Sequence, residues 1–459
     1  MAPKEEGMRI GLVLDRFEPS RGGRERWTYA FAQRLAARGH EVHVVARRLG
    51  EAALRLPAAL HRVTCERSGL AFAEAARQAL EPLALDVVHD MGTGWFCDVF
   101  QPHGGTWASV NDRKLLFVPP WLRWLKRGAN RLLPRQRRFR KLMALQYAER
   151  GQAIVALSRL GAADFTRFHG VAPERIRVIY NGVDGERFSP ARCAPHRDEA
   201  RRRLGTGPET VLALLVAHNF RLKGVATLLG AMARLAAQRL PVQLVVVGGG
   251  KLDPWRQQAR RLGLDERVTF VGQVDDPVPY YAAADLYVHP TFYDPCSLVV
   301  LEAAACGLPV LTSRYNGAAE LFREGHEIAL ISDPADCGEL AGAMRELLDA
   351  ATRGRMGAAA RQTALAHSFE RNVDEILAVY AEVLRQRAGL PQGYATFAAR
   401  VPAAEAPPPE NPASASVGET RVGCPRLRGH AGTARKTPAC PRRRGHATHD
   451  SPPSATETR

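Results

Sequence analysis

The feature that most constrains this chain is a rhythm. Short apolar runs of strand length alternate with amphipathic helical stretches, and the whole alternation occurs twice. The first pass opens on Met8-Arg-Ile-Gly-Leu-Val-Leu, turns through a loop ending in Gly22-Gly23, and continues as a helix over 24–38. Trp27, Phe31 and Leu35 recur there at i/i+4 spacing, and Gly39 stands where a helix C-cap belongs. Glu41 to Ala46 is the next strand. Strand, glycine turn, helix and strand in immediate succession make a βαβ unit, which requires a parallel sheet. The rhythm goes on through strands at 86–89, 153–157 and 175–180, with a helix over 161–168.

A polar, arginine-rich stretch from Pro190 to Pro208 interrupts this pattern and is the expected domain boundary. Strands then fall at 211–217, 242–247, 268–271, 286–289 and 310–312. Helices fall at 225–239, around 255–262, at 278–284 and at 298–306. The last helical stretch, 369–387, places Val373, Ile376, Leu377, Tyr380 and Leu384 on one face. The fold class is therefore α/β: two Rossmann-like, doubly wound domains facing each other across a cleft. They span 8–190 and 200–366, followed by a helical segment over 367–388. Sheets of this kind bind ligands beyond the carboxyl ends of their strands.

Composition narrows the setting. A chain of 459 residues exceeds one ordinary core, and 46% apolar residues suffice to bury two. Its apolar runs stay at strand length, short of the roughly 18–20 residues a membrane-spanning helix needs. The polar start, Met1-Ala-Pro-Lys-Glu-Glu-Gly, lacks the apolar stretch of a secretory signal, so a cytoplasmic location is expected. Cys65, Cys97, Cys193, Cys296, Cys306 and Cys337 are scattered without pair spacing, as reduced thiols would be.

The formal charge of +17 is concentrated in two places. Residues 113–149 hold eleven Lys/Arg against one acid, and residues 390–459 hold ten against five. The second region is rich in Pro, Ala, Arg, Ser and Thr, which cannot bury a core, and is expected to be a disordered tail. Within it Cys424-Pro-Arg-Leu-Arg-Gly-His-Ala recurs as Cys440-Pro-Arg-Arg-Arg-Gly-His-Ala. The Cys–His separations do not match structural zinc sites, so a duplicated low-complexity segment is the better reading.

Chemistry concentrates in Asp294-Pro-Cys-Ser297-Leu298-Val-Val-Leu-Glu302. An acid follows a strand, a turn opens a helix, and a second acid comes eight residues after the first. By spacing alone this is a helix-start acid and a surface Glu. Read functionally, the helix N-terminus near Ser297 suits a phosphate. Glu302 could then accept from two vicinal ribose hydroxyls, and Asp294 could reach a sugar hydroxyl. Three further features favour this second reading. Arg221 and Lys223 follow the first strand of the second half, where they could neutralise a diphosphate. Gly22 and Gly23 occupy the matching edge of the first half, where backbone N–H groups can approach an anion. Asn316 to Glu320 follow the strand at 310–312 on the same edge.

With these residues the chain resembles glycosyltransferase family 4, retaining enzymes of the GT-B fold, over 8–387. The match rests on Asp294 through Glu302 continued by Ala-Ala-Ala-Cys-Gly-Leu-Pro-Val, with Gly22-Gly23, Tyr180-Asn-Gly-Val-Asp184, Lys223-Gly224 and Val245-Val-Val-Gly-Gly-Gly250. Phe220, Lys223-Gly224-Val225 and Asp98-Val-Phe are similar to lipopolysaccharide core glucosyltransferases acting on heptose.

The resemblance implies that the C-terminal helix crosses back onto the first domain. It implies donor binding by Gly22, Gly23, Arg221, Lys223, Val274, Asp294, Ser297, Leu298 and Glu302. Asp98, His103 and Asp294 would be catalytic, with Asp98 and His103 on the acceptor side. A hydrogen-bonded loop His and a cap-forming Asp are the alternatives for those two. The nucleotide sugar is a substrate, and neither cofactor nor metal is expected. The sequence departs from the family pattern twice: Asp294 stands where Glu is usual, and His218 where an Arg is common, a loss Arg221 could offset.

The basic stretch at 113–149 interleaves Trp121, Trp124 and Phe139 with Lys and Arg, which suits an anionic lipid surface, at about 1 kcal/mol per charge. A solvated helix face and a nucleic-acid site compete with that reading, and no nucleic-acid partner is expected. The expected activity is hexose transfer, from UDP-glucose, to a glycolipid or lipopolysaccharide-core-like acceptor at the inner membrane face. GDP-mannose or UDP-N-acetylhexosamine as donor, or a nucleotide-sugar epimerase of similar fold, are the alternatives. A non-catalytic nucleotide binder is disfavoured, because no Gly-x-Gly-x-x-Gly follows Leu14.

Overall fold

The computed structural model describes residues 7–65, 69–132 and 134–389, without the side chains of 129–136. The expected disordered tail over 390–459, with its Cys424 and Cys440 repeats, lies outside these residues. Two all-parallel sheets form the frame. The first has β1 (Arg9–Val13), β2 (Glu41–Ala46), β3 (Ala59–Arg62), β4 (Val87–Asp90), β5 (Val99–Phe100), β6 (Ala153–Ala156) and β7 (Ile176–Val178), in the order β3-β2-β1-β4-β5-β6-β7. The second has β8 (Val211–Val216), β9 (Val242–Val247), β10 (Val268–Gly272), β11 (Leu286–His289), β12 (Val310–Ser313) and β13 (Ile328–Ile331), in the order β10-β9-β8-β11-β12-β13. Strand order reverses between β1 and β4 and again between β8 and β11. These are the two switch points at which a ligand crevice opens.

The strands are apolar because both faces are covered. Leu212 to Leu215 of β8 are each at most 1% exposed, as expected of a parallel sheet under helices on both sides. The helix Gly23–Ala37 begins one residue earlier than its periodicity predicts, and its Trp27, Phe31 and Leu35 are buried as that periodicity requires. The final helix, Phe369–Arg387, does cross back. Val373, Ile376, Val379, Tyr380 and Val383 pack with Ile10, Leu12 and Phe31 of the first half. Full burial of such side chains is worth about 1.5–3 kcal/mol each. Two polar contacts orient the helix: the Trp27 indole donates to Asn372 Oδ1 at 3.0 Å, and His89 Nδ1 lies 2.6 Å from the Tyr380 hydroxyl.

The crossing between halves falls earlier than the polar stretch suggested. Val183 pairs with Ser368, and its backbone exchanges hydrogen bonds with His367 and Phe369. A Cβ on Gly182 would lie 2.3 Å from Ser368 O, so this close approach needs glycine. The arginine-rich stretch itself forms helices Pro190–Cys193 and Arg197–Arg203, packed on the second half. Two of its arginines, Arg197 and Arg201, make that contact. Arg201 donates to Asp285 Oδ2 at 2.8 Å, and Arg197 to Ala282 O and Ala284 O.

The basic insert is helical, over Trp107–Lys114, Arg123–Leu132 and Pro134–Tyr147. Trp121 and Trp124 are 70% and 67% exposed, with Leu116 and Leu125 also at the surface. Among the described residues no helix is long and apolar enough to cross a membrane.

Candidate active site

The carboxyl ends of the two sheets face each other across a groove that is partly open to solvent. Its first-half wall is Ser20, Gly22, Gly23 and Arg26. Its second-half wall includes His218, Gly248, Gln273, Val274, Leu298 and Glu302. Five expected donor residues therefore come together here: Gly22, Gly23, Val274, Leu298 and Glu302. The groove is narrow at Gly23, where a Cβ would stand 3.2 Å from the Leu298 Cδ1 methyl. Gln273 Nε2 donates across it to Ser20 O at 2.8 Å.

Glu302 is 6% exposed, set one turn into the Leu298–Ala305 helix. The Tyr281 hydroxyl donates to its Oε2 at 2.8 Å, while among the described residues Oε1 has an ion pair with Arg26 Nη1 alone, at 3.9 Å. Burial raises its pKa, and the Arg26 charge and the Tyr281 hydrogen bond oppose that rise. One carboxylate oxygen is thus anchored, and the other accepts no hydrogen bond among the described residues.

Ser297 occupies the N-cap of the same helix without capping it. Its N–H donates to Asn316 Oδ1 at 3.3 Å, and its hydroxyl is buried with no partner among the described residues. A buried polar atom left unpaired costs stability, which marks a place for a polar ligand atom. The Gly23–Ala37 and Leu298–Ala305 helices thus bring their N-termini together, offering N–H groups and positive dipole ends to an anion.

Lys223 and Asp294 meet each other. Lys223 Nζ is 2.5 Å from Asp294 Oδ2 and 3.2 Å from Tyr293 O. Gly224 makes this possible: at φ +75°, it passes Pro290 O so closely that a Cβ would sit 2.0 Å away. His289, at the end of β11, is buried beside the pair with Nε2 unpartnered among the described residues, and burial holds its pKa near 3, so it is neutral.

Arg221 is placed elsewhere. Its guanidinium stacks over Phe117 of the insert at 4.8 Å and reaches Phe117 O at 3.5 Å. It does not join Lys223, because the insert offers an aromatic face and a carbonyl that the local sequence does not announce. Among the described residues no group of three His, Cys, Asp or Glu side chains is arranged to hold a metal ion.

The first-half residues separate. His103 packs on Trp27, with ring centroids 4.6 Å apart, and its Nε2 is buried without a partner among the described residues. Burial, then the charge of Arg24, push its pKa well below the usual value, so the ring is neutral. Two residues on, Gly105 abuts Tyr293 and Pro295 of the second half, which ties this turn to the Asp294 loop.

Asp98 is not in the cleft. It precedes β5, and the start of a parallel strand lies at the edge opposite the ligand edge. Its Oδ2 accepts from Val88 N at 2.8 Å, and its Oδ1 pairs with Arg387. The buried acid at the cleft edge is Asp90, at the end of β4. It accepts N–H groups of Gly92, Thr93 and Gly94 at 2.6–2.7 Å, and burial raises its pKa to about 6.

Two sheets with their switch points opposed, a groove between them and a helix crossing back define a GT-B protein. Residues 21–187 match the model described as Glycosyltransferase Family 4, and 210–350 that described as Glycosyl transferases group 1. The chain belongs to these group 1/family 4 glycosyltransferases.

A D-inositol 3-phosphate glycosyltransferase of Thermobifida fusca is 34% identical over 243 residues, 49% of this chain and 54% of that protein. One from Geodermatophilus obscurus is 34% identical over 261 residues, 54% and 56% of the two chains. The chain thus spans about half the length of the curated relatives it matches. Among solved structures, WaaG, described as a glycosyltransferase involved in lipopolysaccharide biosynthesis, superposes with TM-score 0.69 at 24% identity, over 80% of this chain and 98% of that one. Anabaena HepE, solved with UDP and glucose, gives 0.64 at 20% identity, over 83% and 100%. Both show the shared fold.

Proposed function

We propose that this chain is a retaining glycosyltransferase that moves a hexose, glucose from UDP-glucose, onto a glycolipid acceptor resembling a lipopolysaccharide core. The observation that carries the reading is Glu302. A buried carboxylate with one anchored and one open oxygen, at the back of a groove where two helix N-termini meet, suits a nucleoside diphosphate. The open oxygen takes the ribose hydroxyls, Val274 and Gln273 flank the base, and the helix ends receive the phosphates. Lys223 and Asp294 lie where the sugar and the leaving phosphate would follow. Lys223 would stabilise charge as the bond to the leaving group breaks, and Asp294 would hold a sugar hydroxyl. His103, neutral and with its Nε2 unpartnered among the described residues, would face the reacting sugar from the acceptor side.

The exposed Trp121 and Trp124 among basic residues support a lipid-bound acceptor at the inner face of a membrane. GDP-mannose and UDP-N-acetylhexosamine fit the same groove chemistry and remain alternative donors. The curated relatives are named for D-inositol 3-phosphate, which makes a small phosphorylated polyol the second reading for the acceptor.

The test is to incubate the purified chain with a panel of nucleotide sugars and either membrane lipid extract or D-inositol 3-phosphate. Nucleotide release and acceptor labelling are followed together. Labelled lipid with UDP-glucose supports the first reading. Labelled inositol phosphate moves the acceptor to the second, and conversion of one nucleotide sugar into another would replace transfer by epimerisation.

A further inference from the structure

A donor diphosphate brings negative charge into a groove that already holds Glu302, yet the expected cations are largely engaged. Arg221 is stacked on Phe117, and Lys223 is paired with Asp294. His218, where an Arg is common in similar chains, has a pKa below its ordinary value, chiefly through burial, and is neutral at pH 7. One guanidinium in the groove wall is held by no hydrogen bond among the described residues. It belongs to Arg26, on the first turn of the Gly23–Ala37 helix. Its contact is a loose ion pair, Nη1 to Glu302 Oε1 at 3.9 Å, with the side chain 31% exposed and that of Glu302 8%.

We propose that Arg26 is the residue that clamps the diphosphate of the donor from the opposite half, in the place that Arg221 and His218 leave open. This rests on the nucleotide-sugar reading above. In the empty groove Arg26 balances Glu302. When ribose hydroxyls occupy Glu302, that carboxylate is satisfied by neutral donors, and the guanidinium is released toward the adjoining phosphates. Its planar fork of donors suits two phosphate oxygens at once. The position agrees with such a transfer. Arg26 stands beside Gly22-Gly23, where the helix N-terminus already favours an anion, and its charge is also felt at His218 on the far wall. Because Arg26 and Glu302 come from different halves, a bound nucleoside diphosphate would fasten the halves together, and its departure would require them to part.

Calorimetry separates this role from a structural one. UDP, GDP and ADP, with uridine, guanosine and adenosine, are titrated into the full chain and into Arg26→Ala and Arg26→Gln, with melting curves to check folding. The proposal predicts that both variants weaken the preferred diphosphate by about tenfold or more and leave the matching nucleoside within about twofold. The salt dependence of diphosphate binding should also flatten. Unchanged diphosphate affinity in a folded variant overturns the proposal. So does an equal loss for nucleoside and diphosphate, which would make Arg26 only a prop for Glu302. If the unaltered chain binds none of the three diphosphates, the donor reading itself fails, and the clamp fails with it.

Discussion

Lys223 and Asp294, expected to meet different parts of a donor, meet each other: Nζ lies 2.5 Å from Oδ2. Both side chains are mostly buried, 17% and 15% exposed, so the pair is preorganised, and on the proposed reading a donor would enter between or beside its members. Lys223→Ala is expected to lower kcat/KM by about 10²–10³-fold, the usual cost of removing one charge-stabilising donor. Its melting temperature should fall as well, because the largely buried Asp294 carboxylate loses its partner, so activity is read well below the melting point. Steady-state nucleotide release with saturating acceptor reads the first effect. A rate within about twofold of the unaltered chain would remove Lys223 from the site.

Gly182 is the structural counterpart at the crossing. A Cβ there meets the backbone of Ser368 and Phe369 at 2.3–2.7 Å, with no flexible side chain to yield. Gly182→Ala should destabilise the chain by roughly 1–3 kcal/mol, the range for overpacking. It should also loosen the Phe369–Arg387 helix from the first half. Hydrogen exchange across that helix, with a urea melt, checks both effects. Unaltered exchange would show that the crossing tolerates a side chain.

Acid should weaken the fold through its buried histidines. Burial holds His89 and His289 near 3 in the folded chain against an ordinary 6.5. The unfolded chain therefore takes up protons that the folded chain refuses. Their contribution is complete above about pH 6.5 and is lost as pH falls toward 3, at roughly 1.4 kcal/mol per pH unit for each. Asp90 works the other way, since its folded pKa of about 6 exceeds the ordinary 3.8, and it offsets about one histidine between those values. A falling urea midpoint from pH 6.5 to pH 4.5 is expected, with a shallower slope in His289→Asn. A flat profile would contradict the burial of the two rings.

The strand–helix rhythm was legible because both sheets are parallel and covered on two faces, which writes each central strand as an unbroken apolar run. The strand Ala59–Arg62 escaped notice because it is a short edge strand, its residues partly exposed and two of them polar. The Asp294–Glu302 segment was legible for a local reason: strand end, turn and helix start are consecutive in the chain. Arg26 carries no such mark. A helical arginine reads as surface until Glu302, from the other half, is placed against it. Arg221 was misread for the mirror reason, since only the fold brings Phe117 beneath it. Asp98 was misread because Val99-Phe100 is itself a strand, and an acid before a parallel strand faces the wrong edge.

The insert carries the membrane reading. Replacing Trp121 and Trp124 together with Ala removes two exposed indoles from a strongly basic surface. Binding to vesicles containing anionic lipid should weaken by about tenfold or more, while nucleoside diphosphate binding stays the same. Co-sedimentation at fixed ionic strength measures the first effect. Equal sedimentation of both forms would reduce the insert to a solvated helical surface.

The central claim is that Glu302 reads the ribose of a bound nucleoside diphosphate, and one comparison tests it most directly. UDP and 2′-deoxy-UDP, or the corresponding pair for whichever base binds, are titrated into the full chain and into Glu302→Gln. That substitution keeps an oxygen for the Tyr281 hydroxyl and removes the charge. The account predicts that the unaltered chain prefers the ribonucleotide by about tenfold and that Glu302→Gln erases most of the difference. A preference that survives the substitution undiminished would place the ribose elsewhere and contradict the assignment of the site.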